Sequence, residues 1–251
     1  MEQSLLMSIE LAALNAWPAL RQMLYDGWLL RFTGGDSKRV NSVNLLGPST
    51  LPLEEKIHAC EAIYARQGLP VIYRLADFLT PPELRTALAS AGYTEFDPTY
   101  VLGREIDGNW VTSGDGSSNY EIRVLEQTDW LAMRAWLMGK PLVSLGHHAR
   151  VLAGIVPEKV LVGLFVEGEP AACGMGVEEG RLLGYFSIYT RARSRRRGYG
   201  RAVMDAITCW GVRQGARFGY LQVEGDNAAA RAMYEKLGYQ PVYGYSYSKQ
   251  M

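Results

Sequence analysis

An arginine-rich turn at residues 191–201 constrains the fold of this chain more than any other feature of its sequence. The turn reads Arg-Ala-Arg-Ser-Arg-Arg-Arg-Gly-Tyr-Gly-Arg, with six arginines and no acidic residue. The preceding residues, 182–190, are typical of a strand. After the turn, Val203, Ile207 and Trp210 recur at a spacing that predicts a helix with one apolar face. The sequence therefore predicts a strand, a glycine turn and a helix in succession.

Such a turn is suited to binding phosphate groups. Backbone N–H groups at the start of a helix have no partner within the helix, and the helix dipole adds partial positive charge there. Glycine allows close approach of the backbone, and the arginine side chains add positive charge. The residues predicted to hold a pyrophosphate are Arg195, Arg196, Arg197, Gly198, Tyr199, Gly200 and Arg201.

Two other interpretations of the turn are a solvated basic loop and a nucleic-acid patch. The position of the turn, between a predicted buried strand and an amphipathic helix, disfavours both. The chain has 26 basic and 26 acidic residues, so no long-range field attracts it to nucleic acid or to an anionic membrane. We therefore expect no nucleic-acid partner and no membrane partner.

A second motif lies at residues 227–239, after a short predicted strand at residues 220–223. It reads Asn-x-x-Ala-x-x-x-Tyr-x-x-x-Gly-Tyr. Either Asp226 or Asn227 can cap a helix at this point, and Gly238 can end it. The apolar face of the predicted helix contains Ala230, Met233, Tyr234 and Leu237.

Together, the two motifs resemble those of the GNAT superfamily of acetyl-CoA-dependent N-acyltransferases. Members of that superfamily have a strand, Arg/Gln-x-x-Gly-x-Gly/Ala opening a helix, a further strand, and then Asn-x-x-Ala-x-x-x-Tyr-x-x-x-Gly-aromatic. This chain has Arg195-x-x-Gly198-x-Gly200, followed by the second motif in the same order and at the same spacing. The resemblance covers residues 120–251, and it implies that the arginine-rich turn holds the pyrophosphate of acetyl-CoA.

The resemblance also implies further cofactor contacts and a catalytic role. Backbone groups near Ile188 and Thr190 would pair with the pantetheine arm, and Asn227 would lie beside the cofactor. In this family the position of Tyr234 commonly serves as general acid, which protonates the thiolate leaving group as an amine displaces it from the thioester. A core tyrosine is the alternative role, because Tyr234 lies on the apolar face of its predicted helix.

Several residues are candidates for the general base, which must remove a proton from an ammonium acceptor. Glu224, just after a predicted strand, is the first candidate. Glu178 and Glu179 are alternatives, although a hairpin turn would leave both of them solvated. For His147 and His148, the sequence favours an exposed pair on a helix or loop over a catalytic role.

The first half of the chain repeats this order of elements. It begins with a helix predicted around residues 11–24. The later elements are strands at residues 27–33, 39–46, 71–75 and 100–104 and helices at residues 53–66 and 81–91. Residues 84–93 match residues 230–239 locally, which indicates an internal duplication. The alternative is that many helices simply end at a glycine followed by a hydrophobic residue.

The first half lacks the phosphate-binding motif. Its corresponding junction, residues 46–55, has no Arg-x-x-Gly-x-Gly and carries Glu54 and Glu55 in the first turn of the predicted helix. Acidic side chains at that position stabilise the helix through its dipole and would repel a phosphate. We therefore predict a degenerate GNAT-like half, which could cover the acceptor side of the active domain.

These observations predict an α/β protein with a mixed sheet and tandem GNAT-like folds. The degenerate domain is expected at residues 1–105, a linker at residues 106–119 and the catalytic N-acetyltransferase domain at residues 120–251. The expected reaction is transfer of the acetyl group of acetyl-CoA to a primary amine by direct attack, with coenzyme A as product. The acceptor, a small-molecule amine or a protein or peptide amine, is not readable from the sequence. A non-catalytic acyl-CoA-binding sensor or interaction module is the alternative.

Composition indicates the cellular setting. The three cysteines, Cys60, Cys173 and Cys209, are too far apart for the close pairs of a zinc site or disulfide framework, so we expect a reducing cytoplasm and no metal. The first residues lack the basic and apolar regions of a signal peptide, and no apolar stretch reaches the length of a membrane span. The sequence leaves a homodimer open.

Overall fold

The computed structural model describes residues 3–107 and 119–250, so most of the predicted linker at residues 106–119 lies outside the described residues. The elements of the first half are α1 (Gln3–Asn15), β1 (Arg21–Tyr25), β2 (Trp28–Phe32), β3 (Val43–Leu45), α2 (Leu53–Arg66), β4 (Tyr73–Ala76), α3 (Pro82–Ser90) and β5 (Tyr93–Glu105). Those of the second half are β6 (Glu121–Val124), α4 (Gln127–Met138), α5 (Gly146–Ala153), β7 (Glu158–Val166), β8 (Glu169–Glu179), β9 (Leu182–Thr190), α6 (Tyr199–Gln214), β10 (Phe218–Glu224), α7 (Ala228–Lys236) and β11 (Gln240–Gln250).

The main correction to the predicted elements concerns the amino-terminal helix. The prediction of a helix around residues 11–24 is wrong, because α1 ends at Asn15 and the chain then forms β1. Pro18 cannot continue a helix. Asp26 and Gly27, with φ angles of 41° and 80°, form the tight turn that pairs β1 with β2 in antiparallel fashion.

A smaller correction follows from local hydrogen bonds. The strand predicted at residues 39–46 shortens to β3, because the Asn41 side chain accepts hydrogen bonds from the Thr33 and Gly34 N–H groups and holds the preceding loop closed.

The eleven strands of the described residues form one mixed sheet, in the order β1-β2-β3-β4-β11-β5-β10-β9-β8-β7-β6. Its centre is the antiparallel pair of β11 and β5. On one side of this pair, β4 runs parallel to β3, and on the other side β10 runs parallel to β9. Outward from the central pair, the strands follow in descending chain order on both sides, from β4 to β1 on one side and from β10 to β6 on the other. The second side therefore has one extra edge strand, β6.

The central pair joins the two halves through an exchange of strands. The last strand of the first half, β5, pairs with β10, whereas the last strand of the second half, β11, pairs with β4. Each half thus contributes its final strand to the sheet of the other. The division into domains at residues 1–105 and 120–251 stays a prediction, and the exchange shows that both parts share one sheet.

Helices cover both faces of this sheet, as expected for an α/β fold. On one face, α2 and α3 bury a cluster that includes Trp28, Tyr64 and Leu84, while α6 and α7 bury a second cluster around Val203 and Leu237. On the opposite face, α1 and α4 contribute to the largest cluster of buried residues. The arginine-rich turn therefore lies where a central strand passes into a helix of the first of these layers.

A buried ion pair ties α1 to the middle of the sheet. Glu10 and Arg74 are 1% and 3% exposed, and both guanidinium nitrogens Nη1 and Nη2 of Arg74 donate to the Glu10 carboxylate. The Tyr243 hydroxyl of β11 donates to the same carboxylate at 2.6 Å. Because the pair is desolvated, each charge depends on the other for its compensation.

Candidate functional site

A cleft opens where two parallel strands part. β10 pairs with β9 only over its first residues, up to Leu221 opposite Tyr185. Beyond this point, β9 has an irregularity at Ser187, whose φ of 54° is in the left-handed region, and β10 continues in register with β5 alone. The pairing of β9 with β8 also shifts in register between Cys173 and Met175. The backbone of β9 beyond Tyr185 therefore has an edge free of strand pairing on the β10 side.

The cleft has a volume of about 480 Å³ and is lined by residues of both halves. Four of the residues predicted from sequence line it together: Ile188, Glu224, Asn227 and Tyr234. Thr190 ends β9 two residues beyond Ile188 and is outside the lining. The predicted cofactor and catalytic residues of β9, β10 and α7 thus converge on one site, and their roles stay predictions.

The arginine-rich turn follows β9, and the space beside the start of α6 is open. Gly198 is the N-cap residue with a φ of 80°, and a Cβ atom built on it would meet no atom within 4 Å. A Cβ on Gly200 would lie 3.3 Å from the Thr190 hydroxyl, so this glycine packs α6 against β9. No described residue accepts a hydrogen bond from the backbone N–H groups of residues 196–200. These donors are available to an anion.

The arginines of this turn differ in their own contacts. Arg195 donates from Nε to the Thr190 carbonyl at 3.4 Å, and Arg201 lies 3.7 Å from Asp205. Arg196 and Arg197 are exposed. The first turn of α6 contains no acidic residue, so the positive end of the helix dipole is not neutralised there.

Tyr234 is held with its ring buried and its hydroxyl free. The side chain is 8% exposed, packs edge-on against Tyr239 at 6.2 Å, and makes no hydrogen bond with any described residue. Asn227 positions α7 as its N-cap, because Oδ1 accepts a hydrogen bond from the Ala230 N–H at 3.1 Å. Burial raises the pKa of Tyr234 to about 12. The phenol is therefore protonated at neutral pH, as a general acid requires.

The structure separates the candidates for the general base. Glu224 is exposed and lines the cleft at the carboxyl end of β10. Glu178 and Glu179 lie near the β8–β9 turn, at the opposite end of β9. Glu178 accepts a hydrogen bond from the Arg181 N–H, and Glu179 accepts one from the Asn15 side chain at 2.8 Å. Among the three predicted carboxylates, only Glu224 is placed to act in the cleft.

The two histidines are not an exposed pair. His147 is exposed, and its Nδ1 lies 2.8 Å from Nη2 of Arg150. The prediction is wrong for His148, which is half-buried, with its ring 4.9 Å from that of Trp17 and 5.9 Å from that of Trp130. The cause is the packing of α5 on α4, which turns this side chain inward. Neither histidine lines the cleft.

We expect acid destabilisation from His148. Burial, followed by the charge of Arg134, lowers its pKa from 6.5 to about 4. Between these two pH values the unfolded chain binds a proton that the folded protein does not, so the free energy of unfolding falls as the pH is lowered through this window. The loss is at most about 3 kcal/mol. Urea unfolding near pH 7 and near pH 4.5 should show a smaller fall for His148→Phe than for the wild-type protein.

The control for this measurement is His58→Phe, since His58 is an exposed histidine on α2. This variant should keep the pH dependence of the wild-type protein. An unchanged pH dependence in His148→Phe would mean that the histidine is protonated as readily in the folded protein as in the unfolded chain.

Several residues of the cleft were not predicted from the sequence. They come from the loop after β2, from the segment after α1 and from the central strands, and they are Trp17, Asp36, Ser37, Lys38, Arg39, Asp97, Thr99, Gln222, Tyr245 and Tyr247. The alternating tyrosines of β11 are the usable signal for this part of the lining in the sequence. The first half therefore forms one wall of the cleft, as the prediction that it covers the acceptor side requires.

The corresponding junction of the first half holds a carboxylate of the chain itself. Asp26 accepts hydrogen bonds from the backbone N–H groups of Thr50 and Leu51 and from the Thr50 hydroxyl, just before α2. The Lys56 ammonium lies 3.2 Å from the same carboxylate. The Leu51 and Thr50 hydrogen bonds hold the pKa of Asp26 well below its usual range. Since Asp26 already uses these donors, a phosphate would find them occupied, and the degeneracy of this half stays a prediction.

Within residues 3–107 and 119–250, no helix combines the length and apolar character needed to cross a membrane. In the same ranges, no group of three or more His, Cys, Asp or Glu side chains is arranged to hold a metal ion.

The fold is that of the GNAT-type N-acetyltransferases. A GCN5-related N-acetyltransferase from Kribbella flavida superimposes with a TM-score of 0.73, covering 97% of this chain and 95% of that chain at 16% sequence identity. A tandem GNAT protein from the clavulanic acid biosynthesis pathway superimposes with a TM-score of 0.66, covering 82% and 74% of the two chains at 11% identity. The predicted fold class, a mixed α/β sheet of GNAT type, is confirmed.

The sequence comparisons identify the family within this class. A family model described as "Probable histone acetyltransferase Rv0428c C-terminal" matches residues 4–248, and the chain belongs to that family. The "Uncharacterized N-acetyltransferase YobR" of Bacillus subtilis (strain 168) is 27% identical over 243 residues, which is 95% of this chain and 96% of that protein. The predicted membership of the GNAT superfamily is thereby confirmed, and the chain is assigned to the GNAT-type acetyltransferases.

Proposed function

We propose that this protein transfers the acetyl group of acetyl-CoA to a primary amine by direct attack. The observation that carries the proposal is the arrangement around the unpaired edge of β9. The turn with free backbone N–H groups follows this strand, and the buried Tyr234 lines the cleft beside it. The turn of residues 195–201 would hold the pyrophosphate, and the free edge of β9 at Ile188 and Thr190 would pair with the pantetheine arm. Asn227, which caps α7, would lie beside the cofactor.

The proposed chemistry needs two proton transfers that the cleft residues can make. Acetyl-CoA supplies the acetyl group as an activated thioester. Glu224 accepts a proton from the ammonium of the acceptor, which frees the lone pair of its nitrogen for attack on the thioester carbon. As the carbon–sulfur bond breaks, the Tyr234 hydroxyl donates its proton to the departing sulfur. The nitrogen, now bonded to the acetyl carbon, loses one more proton to solvent and becomes the amide. The tyrosinate takes up a proton from solvent, and Glu224 releases its proton to solvent.

The experiment that tests this function measures binding of acetyl-CoA. At a concentration one hundred times its dissociation constant, a ligand stabilises the folded state by about 2.7 kcal/mol. We expect acetyl-CoA to raise the melting temperature and free adenosine, at the same concentration, to leave it unchanged. The Gly198→Val variant should lose the shift, because its side chain would occupy the open space beside the backbone N–H groups at the start of α6.

A matched variant separates cofactor binding from backbone strain. Gly180 lies in the β8–β9 turn, also has a positive φ, 55°, and also has no atom within 4 Å of a Cβ built on it. Gly180→Val should therefore be strained like Gly198→Val and yet keep the acetyl-CoA shift. Absence of a shift in the wild-type protein at millimolar acetyl-CoA would contradict the proposal. Binding without transfer to any amine would favour the non-catalytic sensor.

A further inference from the structure

One arginine in the wall formed by the first half has no salt bridge with any described acidic side chain, although Asp36 also lines this wall. Arg39 lines the cleft, is half-buried, and forms no ion pair with any described residue. Its guanidinium lies 5.9 Å from the centre of the Trp17 ring. The neighbouring cation, Lys38, differs because it forms a salt bridge with Asp97.

The other two arginines of this layer have their own partners. Arg74 is paired with Glu10. Arg31, which is 1% exposed, donates to three backbone carbonyls, those of Leu14, Trp17 and Arg39. Arg39 is the member of this group of three arginines that faces the cleft.

An acidic side chain stands at the other end of the cleft floor. Thr99 of β5 lies opposite Glu224 of β10 on one side and opposite Tyr245 of β11 on the other. Since neighbouring strands are about 4.8 Å apart, roughly 10 Å separates the backbone of Glu224 from that of Tyr245, which lines the cleft beside Arg39. The lining thus holds the Glu224 carboxylate on the β10 side and the Arg39 guanidinium on the wall formed by the first half.

We infer that the amine acceptor also carries a carboxylate, which Arg39 binds while the amino group lies beside Glu224. This inference deepens the proposed acetyl transfer and rests on it. The planar guanidinium of arginine matches a carboxylate through two parallel hydrogen bonds, and a half-buried cation without an anion gains more from such a partner than an exposed one. The acceptor class is therefore an amino acid or a related small amino carboxylate.

The first test compares matched acceptors with the wild-type protein. The pairs are β-alanine with propylamine, γ-aminobutyrate with butylamine, and phenylalanine with phenethylamine, so each pair differs chiefly in the carboxylate. Release of coenzyme A from acetyl-CoA is followed with a thiol reagent. We expect kcat/KM to be at least about ten-fold higher for the carboxylated member of the best pair. Equal rates within every pair, or acetylation of none of the carboxylated compounds, would overturn the inference.

The second test assigns the preference to Arg39. Arg39→Gln should lower kcat/KM for the carboxylated acceptor by about ten-fold or more through KM, with little effect on its matched amine, and Arg39→Lys should restore part of the loss. Arg66→Gln, which removes an exposed arginine at the end of α2, should change neither. An equal loss for both acceptors would assign Arg39 a structural role and overturn the inference.

The shift in melting temperature with acetyl-CoA separates a failure of the proposed function from a failure of this inference. Absence of the shift would contradict the proposed function itself, whatever the acceptor. A protein that binds acetyl-CoA and acetylates amines without regard to their carboxylate keeps the proposed function and loses only this inference. If Arg39→Gln does not fold, the matched pairs measured with the wild-type protein still decide whether a carboxylate is required.

Discussion

A Tyr234→Phe variant is expected to lose about 100-fold or more of kcat while it binds acetyl-CoA as tightly as the wild-type protein does. The substitution removes one oxygen from a ring that is 8% exposed, so the packing of α7 should survive. The lost group is the hydroxyl that would protonate the departing sulfur, and its absence affects the chemical step more than binding. Steady-state kinetics with a responsive amine, together with the acetyl-CoA melting shift, measure the two effects separately.

Tyr239→Phe is the control for this variant. Tyr239 is 2% exposed and packs edge-on against Tyr234, and it is not part of the cleft lining. Its substitution should leave kcat near the wild-type value. If Tyr234→Phe keeps full turnover, Tyr234 is a core residue and the thiolate must be protonated by another group or by water.

Replacing Glu10 by alanine should produce the largest loss of stability, about 3–5 kcal/mol. Arg74 would remain 3% exposed without its carboxylate, near the buried Arg31, and the Tyr243 hydroxyl would lose its acceptor. Since domains of this kind are stable by about 5–15 kcal/mol, this loss approaches the whole stability of the fold. Urea unfolding monitored by fluorescence measures it.

Two further variants test the cause of this loss. Glu121→Ala breaks an exposed pair with Arg123 and should leave the unfolding midpoint nearly unchanged. The double variant Glu10→Leu/Arg74→Met removes both buried charges and should recover much of the loss, because no charge is then left uncompensated. A Glu10→Ala midpoint equal to that of the wild-type protein would show that water or another group compensates Arg74.

The elements that carry the two motifs were predictable because their signals are local. The predicted strand at residues 182–190 is β9, and α6 begins at Tyr199, as the glycine turn and the apolar spacing indicate. Asn227 caps α7, and Gly238 follows its end with a φ of 83°. In each case, a few neighbouring residues settle the backbone conformation through capping, periodicity or a positive φ.

Part of the cleft lining was predictable for the same reason. Four residues predicted from the motifs, Ile188, Glu224, Asn227 and Tyr234, line one cleft, and their roles stay predictions. The histidines show the limit of such reasoning. The sequence around His148 does not reveal that α5 packs on α4, and only this contact buries the ring between Trp17 and Trp130.

Pairing between distant segments decided the rest. Nothing local to β5 or β11 indicates that each leaves its own half to pair with the other, because strand pairing depends on hydrogen bonds and side-chain contacts between residues far apart in sequence. That exchange, with the loop after β2, brings Arg39, Tyr245 and Glu224 into the lining of one cleft. Local sequence therefore specified the glycine turn, α6 and α7, and long-range strand pairing created the opposite wall of the cleft.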